Sequence, residues 1–169
     1  ALQFVKDGSR PDVNFAIRYL QVMGIKWTTY SDKCLSWLVG YLEQTKAKYW
    51  HGFVNSYDIA QGLCYLLLET DASHAGERME RRGVSGYNII LRGPRTSMLL
   101  EAHCNGIQRV TLSSCESEVV GAERGTRAVM RLKMVMDKIL GYEVPNDDMS
   151  TFSHGIRTGL AMDAESAIK

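Results

Sequence analysis

Three acidic side chains, Asp71, Glu118 and Asp163, occupy positions from which carboxylates can converge. Asp71 closes the apolar run at residues 64–71 (CYLLLETD), which reads as a buried strand. Glu118 falls in the first turns of the longest amphipathic segment. Asp163 follows a short apolar stretch at 159–162 and precedes a helix-like run at 164–169. Carboxylates at two strand ends and one helix start can meet at a point and hold Mg²⁺, which favours carboxylate oxygens and keeps several waters. Such a centre suits phosphodiester hydrolysis, in which two ions about 3.5–4 Å apart clamp the attacking and leaving oxygens.

Glu116 and Glu118 both open the long helical segment, and spacing separates their roles. From Glu118, steps of three and four reach Ala122, Gly125, Val129, Leu132, Met136 and Ile139, the apolar stripe that must face a sheet. From Glu116 the same steps reach Val120, Glu123, Arg127, Arg131 and Met134, a mostly polar face. Ser113 three residues before Glu116 fits a capping box, and Glu123 with Arg127 an ordinary i,i+4 pair. Glu116 is therefore the cap and Glu118 the functional acid. A carboxylate on a buried stripe is costly unless it is paired or binds a cation, so a structural ion pair with an arginine is the competing explanation.

The elements that must position these acids are legible in outline. Residues 1–60 read as helical. Pro11 suits a first turn, Val13, Ile17 and Leu20 form one stripe, and Gly24 ends it. A second helix is expected from Ser31 or Asp32, with Leu35, Leu38, Val39 and Leu42 inward and Trp27, Trp37 and Trp50 packed in the core. From about residue 49 the period changes. Strands are expected at 49–54, 62–70, 85–91 and 97–103, joined by short turns as an antiparallel meander. A helix over 114–140 stops at Gly141, residues 143–155 read as a loop, and a last strand and helix start follow. This order points to an α+β, mixed-sheet fold: a three-stranded antiparallel meander extended by one more strand, with helices on the sheet.

With 45% hydrophobic and 23% charged residues, the 169-residue chain is globular and long enough to bury a core. Twenty basic against nineteen acidic residues leave a charge of +1, so any nucleic-acid contact must come from local patches. The candidates are Arg78, Arg81 and Arg82, and a group made by Arg124, Arg127, Arg131 and Lys133 that also fits a solvated helix face. Cys34, Cys64, Cys104 and Cys115 are scattered, as reduced thiols of an intracellular protein are, and His103 with Cys104 lacks partners at zinc-ligand spacing. No apolar run approaches the roughly 20 residues of a membrane span. The start at Ala1 carries no signal-like pattern and reads as a cut from a longer chain.

Six blocks occur in one order: residues 10–17 (RPDVNFAI), 37–46 (WLVGYLEQTK), 70–76 (TDASHAG), 81–87 (RRGVSGY), 112–118 (LSSCESE) and 162–168 (MDAESAI). Together they resemble the C-terminal part of copia-type retrotransposon polyproteins, where the end of the reverse transcriptase leads into a ribonuclease H domain. The resemblance covers nearly the whole chain. It implies a ribonuclease H-like fold over 61–169, in which the fourth strand runs parallel to the first, preceded at 1–60 by a helical tail of the polymerase module. It also implies cleavage of the RNA strand of RNA–DNA hybrids with two Mg²⁺ ions, Mn²⁺ being an alternative.

Residue by residue, the resemblance matches Asp71 to the acid of the first strand, Glu118 to the glutamate of the first long helix and Asp163 to the aspartate after the fourth strand. In that scheme Asp71 bridges both ions, Glu118 holds the ion on the leaving-group side and Asp163 the ion carrying the nucleophile. Ser73, Arg81 and Arg82 fall in the matching blocks as candidate substrate contacts. The implied partners are the hybrid and the polymerase module of the same polyprotein, with no membrane. The implied compartment is the cytoplasm, including virus-like particles.

The chain departs from the family at Glu77, Arg78 and Cys115, in the length of 143–159, and in stopping at Lys169 before a fourth acidic ligand and the final strand and helices. The stop at Lys169 and the near-neutral charge motivate a rival reading, a non-catalytic ribonuclease H-like connection module that packs against a polymerase. A DNA-strand transferase of the same fold superfamily is a third, and the polymerase-like block at Arg10 and Pro11 argues against it.

Overall fold

The computed structural model describes Leu2, Val5, Lys6 and residues 9–74, 83–142 and 155–162. A 3-10 turn at Pro11–Val13 leads into α1 (Asn14–Met23), and a second at Gly24–Lys26 leads toward α2 (Thr29–Gln44). Helix α2 starts two residues earlier than its apolar pattern implies. The Thr28 hydroxyl accepts from the Ser31 amide while Ser31 Oγ accepts from the Thr28 amide, a reciprocal cap with serine in place of the usual acid. Val13, Ile17, Leu20 and Leu38 form a small core between α1 and α2, flanked by Leu35 and Leu42.

The three tryptophans are not in that core, contrary to the expectation from sequence. Trp27, Trp37 and Trp50 are 47%, 67% and 59% exposed, and Val39 is also exposed. Among the described residues, α2 packs on α1 through Leu35, Leu38 and Leu42, and Trp37 on another side of the helix stays exposed. Residues 49–54 form no strand either. Phe53 makes a single antiparallel bridge to Ser97 before α3 (Ser56–Ala60), which Asn55 caps through its side-chain oxygen.

Strands β1 (Tyr65–Ser73), β2 (Val84–Arg92) and β3 (Ser97–Gly106) make the antiparallel meander, and β4 (Arg157–Met162) pairs parallel to β1, giving the order β3-β2-β1-β4. The mixed α+β expectation therefore holds: three antiparallel strands, one parallel, helices on the sheet. Asp71 does not end its strand but lies two residues inside it. The ladder with β2 runs on to the pair Ser73 and Val84.

Helix α4 (Ser114–Leu140) has the bounds its sequence implies, because both ends are fixed locally. Ser113 Oγ accepts from the Glu116 amide at 3.1 Å, and Gly141 closes the helix at φ 75°, the left-handed conformation glycine adopts without strain. The reciprocal arm of the cap lands one residue early, since Glu116 Oε2 accepts from the Leu112 amide at 2.7 Å. Glu123 and Arg127 pair at 2.7 Å as expected.

Two glycines let α4 lie close on the sheet. A Cβ at Gly121 would stand 3.4 Å from the Cβ atoms of Ala72 and Ser85, and one at Gly125 would stand 2.9 Å from Leu68. The principal core fills this layer: Leu66 and Leu68 of β1, Tyr87, Ile89 and Leu91 of β2, and Ala128 and Val129 of α4. Leu66 and Ile89 are fully buried, each worth about 1.5–3 kcal/mol over exposure. Of the sequence-derived stripe, Ile139 lies outside this core, 70% exposed near the end of α4.

Lys133 does not belong to a solvated basic face. It is buried, and its Nζ donates to Asp137 Oδ2 at 2.6 Å, while Asp137 Oδ1 accepts from the Ile156 amide just before β4. The carboxylate thus ties the end of α4 to the start of the parallel strand. Among the described residues, no helix is long and apolar enough to cross a membrane.

Candidate functional site

Along β1 the buried positions Leu66, Leu68, Thr70 and Ala72 alternate with half-buried Leu67 and Glu69 and exposed Asp71 and Ser73. Because side chains alternate across a strand, the first set faces α4 and the second faces the other side of the sheet. Asp71 thus leaves the face turned away from α4. It pairs with Gly86 of β2, which pairs in turn with Cys104 of β3. The glycine leaves the row between Asp71 and Cys104 without a side chain. A groove of about 390 Å³ opens there, lined by Glu69, Asp71, Asn88 and Cys104, by Asp12 just before α1 and by Phe15 on it. Among the described residues, the Asp71 carboxylate has no hydrogen-bond or ion-pair partner.

Asp12, on the groove wall, is already committed. Arg10 donates to both of its oxygens at 2.9 and 2.8 Å and the Tyr41 hydroxyl donates at 2.8 Å. The hydrogen bond from Arg10 is the main reason its pKa is lowered, to about 2. That carboxylate is a structural anion and no candidate ligand.

Glu118 is buried, as its place on the stripe requires. It shares a helix flank with Gly125, seven residues on, where an added Cβ would touch Leu68 and Thr70 of β1. Gly121 packs one turn further along, within 3.9 Å of the Asp71 carbonyl oxygen as judged from an ideal Cβ. The first turns of α4 therefore lie against the Asp71 end of β1, with Glu118 arriving from the face opposite to the Asp71 carboxylate. Met162, the last described residue of β4, pairs with Thr70, the residue before Asp71. Asp163 lies outside the described residues, as do Arg81 and Arg82. Ser73 is exposed, and its hydroxyl accepts from the Val84 amide at 3.3 Å, a bond that closes the β1–β2 ladder.

Among the described residues, no three His, Cys, Asp or Glu side chains form a group able to hold a metal ion. The side-chain types, though not the described geometry, suit magnesium: the Asp71 and Glu118 carboxylates leave opposite faces of the sheet. Asp71 offers an unengaged, solvent-reachable carboxylate, and Glu118 brings a second carboxylate to the same end of the sheet. Sequence reasoning missed Glu69 and Asn88, and weighed Cys104 only as a zinc ligand with His103. The two-residue period of β1 carries a signal for Glu69, since it shares a face with Asp71, whereas the neighbours on β2 and β3 depend on register. It also missed His74, whose imidazole Nδ1 lies 3.1 Å from Thr111 Oγ1 and 3.4 Å from Ser117 Oγ, next to Glu118 in the chain.

Comparison of the chain with protein-family models, with curated protein sequences and with solved structures finds no match.

Proposed function

We propose that this chain is a ribonuclease H-type endonuclease module of a copia-type retrotransposon polyprotein, acting on the RNA strand of RNA–DNA hybrids during reverse transcription in the cytoplasm. The observation that carries the reading is the placement of two acids at one end of a mixed sheet. Asp71 stands on β1 between the antiparallel β2 and the parallel β4, and Glu118 stands on the helix turn packed at the same end. Asp163 follows β4 directly in the chain and completes the acidic set in this reading.

Asp71, Glu118 and Asp163 would hold magnesium, with manganese as a substitute, and the bound metal would supply an activated water and charge neutralisation at the scissile phosphate. The chain's own contributions are positional. Asp71 stands near the end of β1, where its backbone pairs with Gly86 of β2. Glu118 is buried on the first turns of α4, which pack against the same end of β1. Choice of RNA would rest on its 2′-hydroxyl, the group that distinguishes it from DNA. Ser73, Arg81 and Arg82 remain candidate substrate contacts.

Cleavage of a fluorescent RNA–DNA hybrid with Mg²⁺ tests this. Asp71→Asn and Glu118→Gln should each lower the rate by more than about 100-fold, since even residues that only support a metal ligand cost 10–100-fold. Undiminished cleavage by either variant would remove that residue from the site.

A second reading has its own support. The Asp71 and Glu118 side chains leave opposite faces of the sheet, and the helical segment exposes Phe15, Trp37, Tyr49 and Trp50. Both features suit a non-catalytic connection module that packs against the polymerase. A wild-type chain that binds the hybrid but leaves it intact at saturating Mg²⁺ would favour this reading.

A further inference from the structure

The end of β1 and the start of α4 are joined by a chain of hydroxyls that the acids themselves do not explain. Ser117 Oγ lies 3.2 Å from the Ser113 carbonyl oxygen, which can only accept, so Ser117 donates to it. The Ser117 oxygen then accepts from Thr111, whose Oγ1 lies 2.7 Å away. The Thr111 oxygen in turn accepts from His74, whose Nδ1 is 3.1 Å distant and is also within 3.4 Å of Ser117. Taken in this direction every donor in the relay is used once and the proton falls on Nδ1, whereas the reverse order, Ser117 to Thr111 to His74, would place it on Nε2 and leave the Ser113 carbonyl without the hydroxyl. Ser117 and Thr111 are buried, at 0% and 4% exposure, while His74 is exposed.

The relay ends on the residue that starts the helix. Ser113 is the N-cap, and its own hydroxyl holds the Glu116 amide. His74 lies three residues after Asp71, and Ser117 immediately precedes Glu118. A rotation or slide of the first turn of α4 would break the His74–Thr111–Ser117 bonds at the same time as it moved Glu118.

We propose that His74 is a positioning residue, which through Thr111 and Ser117 registers the Glu118 turn of α4 against the Asp71 end of β1. The proposal rests on the reading of Asp71 and Glu118 as metal ligands. It assigns His74 no contact with substrate.

Two measurements on the full chain test it. In ¹⁵N spectra of the imidazole ring, neutral His74 should be the Nδ1–H tautomer, and Thr111→Val should release it. In hybrid cleavage, His74→Ala should raise the Mg²⁺ concentration for half-maximal rate about tenfold, as loss of a group that orients a ligand does, with the rate at saturating Mg²⁺ little changed. His74→Asn, whose side-chain amide can donate near the Nδ1 position, should restore most of the Mg²⁺ response, which a merely space-filling role would not predict. An Nε2–H tautomer, or a His74→Ala response matching wild type, overturns the proposal.

If wild type fails to cleave at any Mg²⁺ concentration, the nuclease reading is lost. The ring tautomer and amide exchange at residues 114–118 then decide the relay alone. Exchange accelerated in His74→Ala and restored in His74→Asn upholds it, and exchange unchanged from wild type overturns it.

Discussion

Asp137→Ala is the substitution whose cost the structure specifies most fully. The carboxylate accepts from Lys133 Nζ at 2.6 Å through Oδ2 and from the Ile156 amide at 2.7 Å through Oδ1. The Lys133 and Asp137 side chains are 7% and 5% exposed, so water and salt screen the pair little. Removing one partner of a buried ion pair costs about 3–5 kcal/mol, and the Ile156 amide loses its acceptor as well. For a chain of this size each kcal/mol moves the midpoint by about 2–4 °C, so Tm should fall by about 6–20 °C.

The consequence reaches the site, because Ile156 immediately precedes β4, the strand that leads to Asp163. Gly155, at φ 85°, faces the same carboxylate, and an added Cβ there would collide with it. Thermal unfolding followed by far-ultraviolet circular dichroism is the assay. Asp137→Asn keeps one carbonyl oxygen for the Ile156 amide and should fall between wild type and Asp137→Ala. A shift for Asp137→Ala below about 2 °C would refute the argument that this carboxylate clamps α4 to β4.

Two further outcomes follow from named contacts. Gly125→Ala gains about 1 kcal/mol of helix propensity but forces a Cβ to within 2.9 Å of Leu68 and 3.0 Å of Thr70, an overpacking cost of about 1–3 kcal/mol. Gly121→Ala meets only ordinary contacts at 3.4 Å and should be neutral or stabilising by up to about 1 kcal/mol. Chemical denaturation ranks the pair, and a Gly125→Ala variant at least as stable as Gly121→Ala contradicts the packing argument.

Asp12 has its pKa lowered from 3.8 to about 2, chiefly by the Arg10 hydrogen bond, so its contribution to stability is complete above about pH 3.8 and is lost as pH falls toward 2. Asp12→Asn should therefore flatten the fall in stability over that interval while lowering stability at neutral pH. An acid transition with the same slope in both proteins would show that the pair contributes nothing to folding.

How much was legible depended on whether the deciding chemistry is local. The bounds of α4 could be read to the residue because Ser113 and Gly141 act within one turn. Burial of Glu118 followed from helical period alone. Strand β1 extended past Asp71 because its end is set by pairing with β2, which local sequence does not encode. The tryptophans misled for a related reason: an aromatic marks a surface that wants covering, but only the arrangement of layers decides whether anything covers it. Lys133 was read as solvated although its partner Asp137 lies one turn on, because the Ile156 amide that joins the pair lies nineteen residues beyond Asp137.

The meander of three strands before the long helix, the caps of that helix, the candidate acids and the two-residue rhythm that puts Asp71 with Glu69 and opposite to Ala72 were all written in the chain itself. Periodicity and capping need only neighbours within a turn or two. Which face of the sheet α4 covers, and hence that the Asp71 and Glu118 side chains approach from opposite sides, was decided only by tertiary packing, where glycines at 121 and 125 admit the helix to one face. The His74 relay is likewise tertiary, since it joins residues 74, 111, 113 and 117 through hydroxyls that meet only when strand and helix are already side by side.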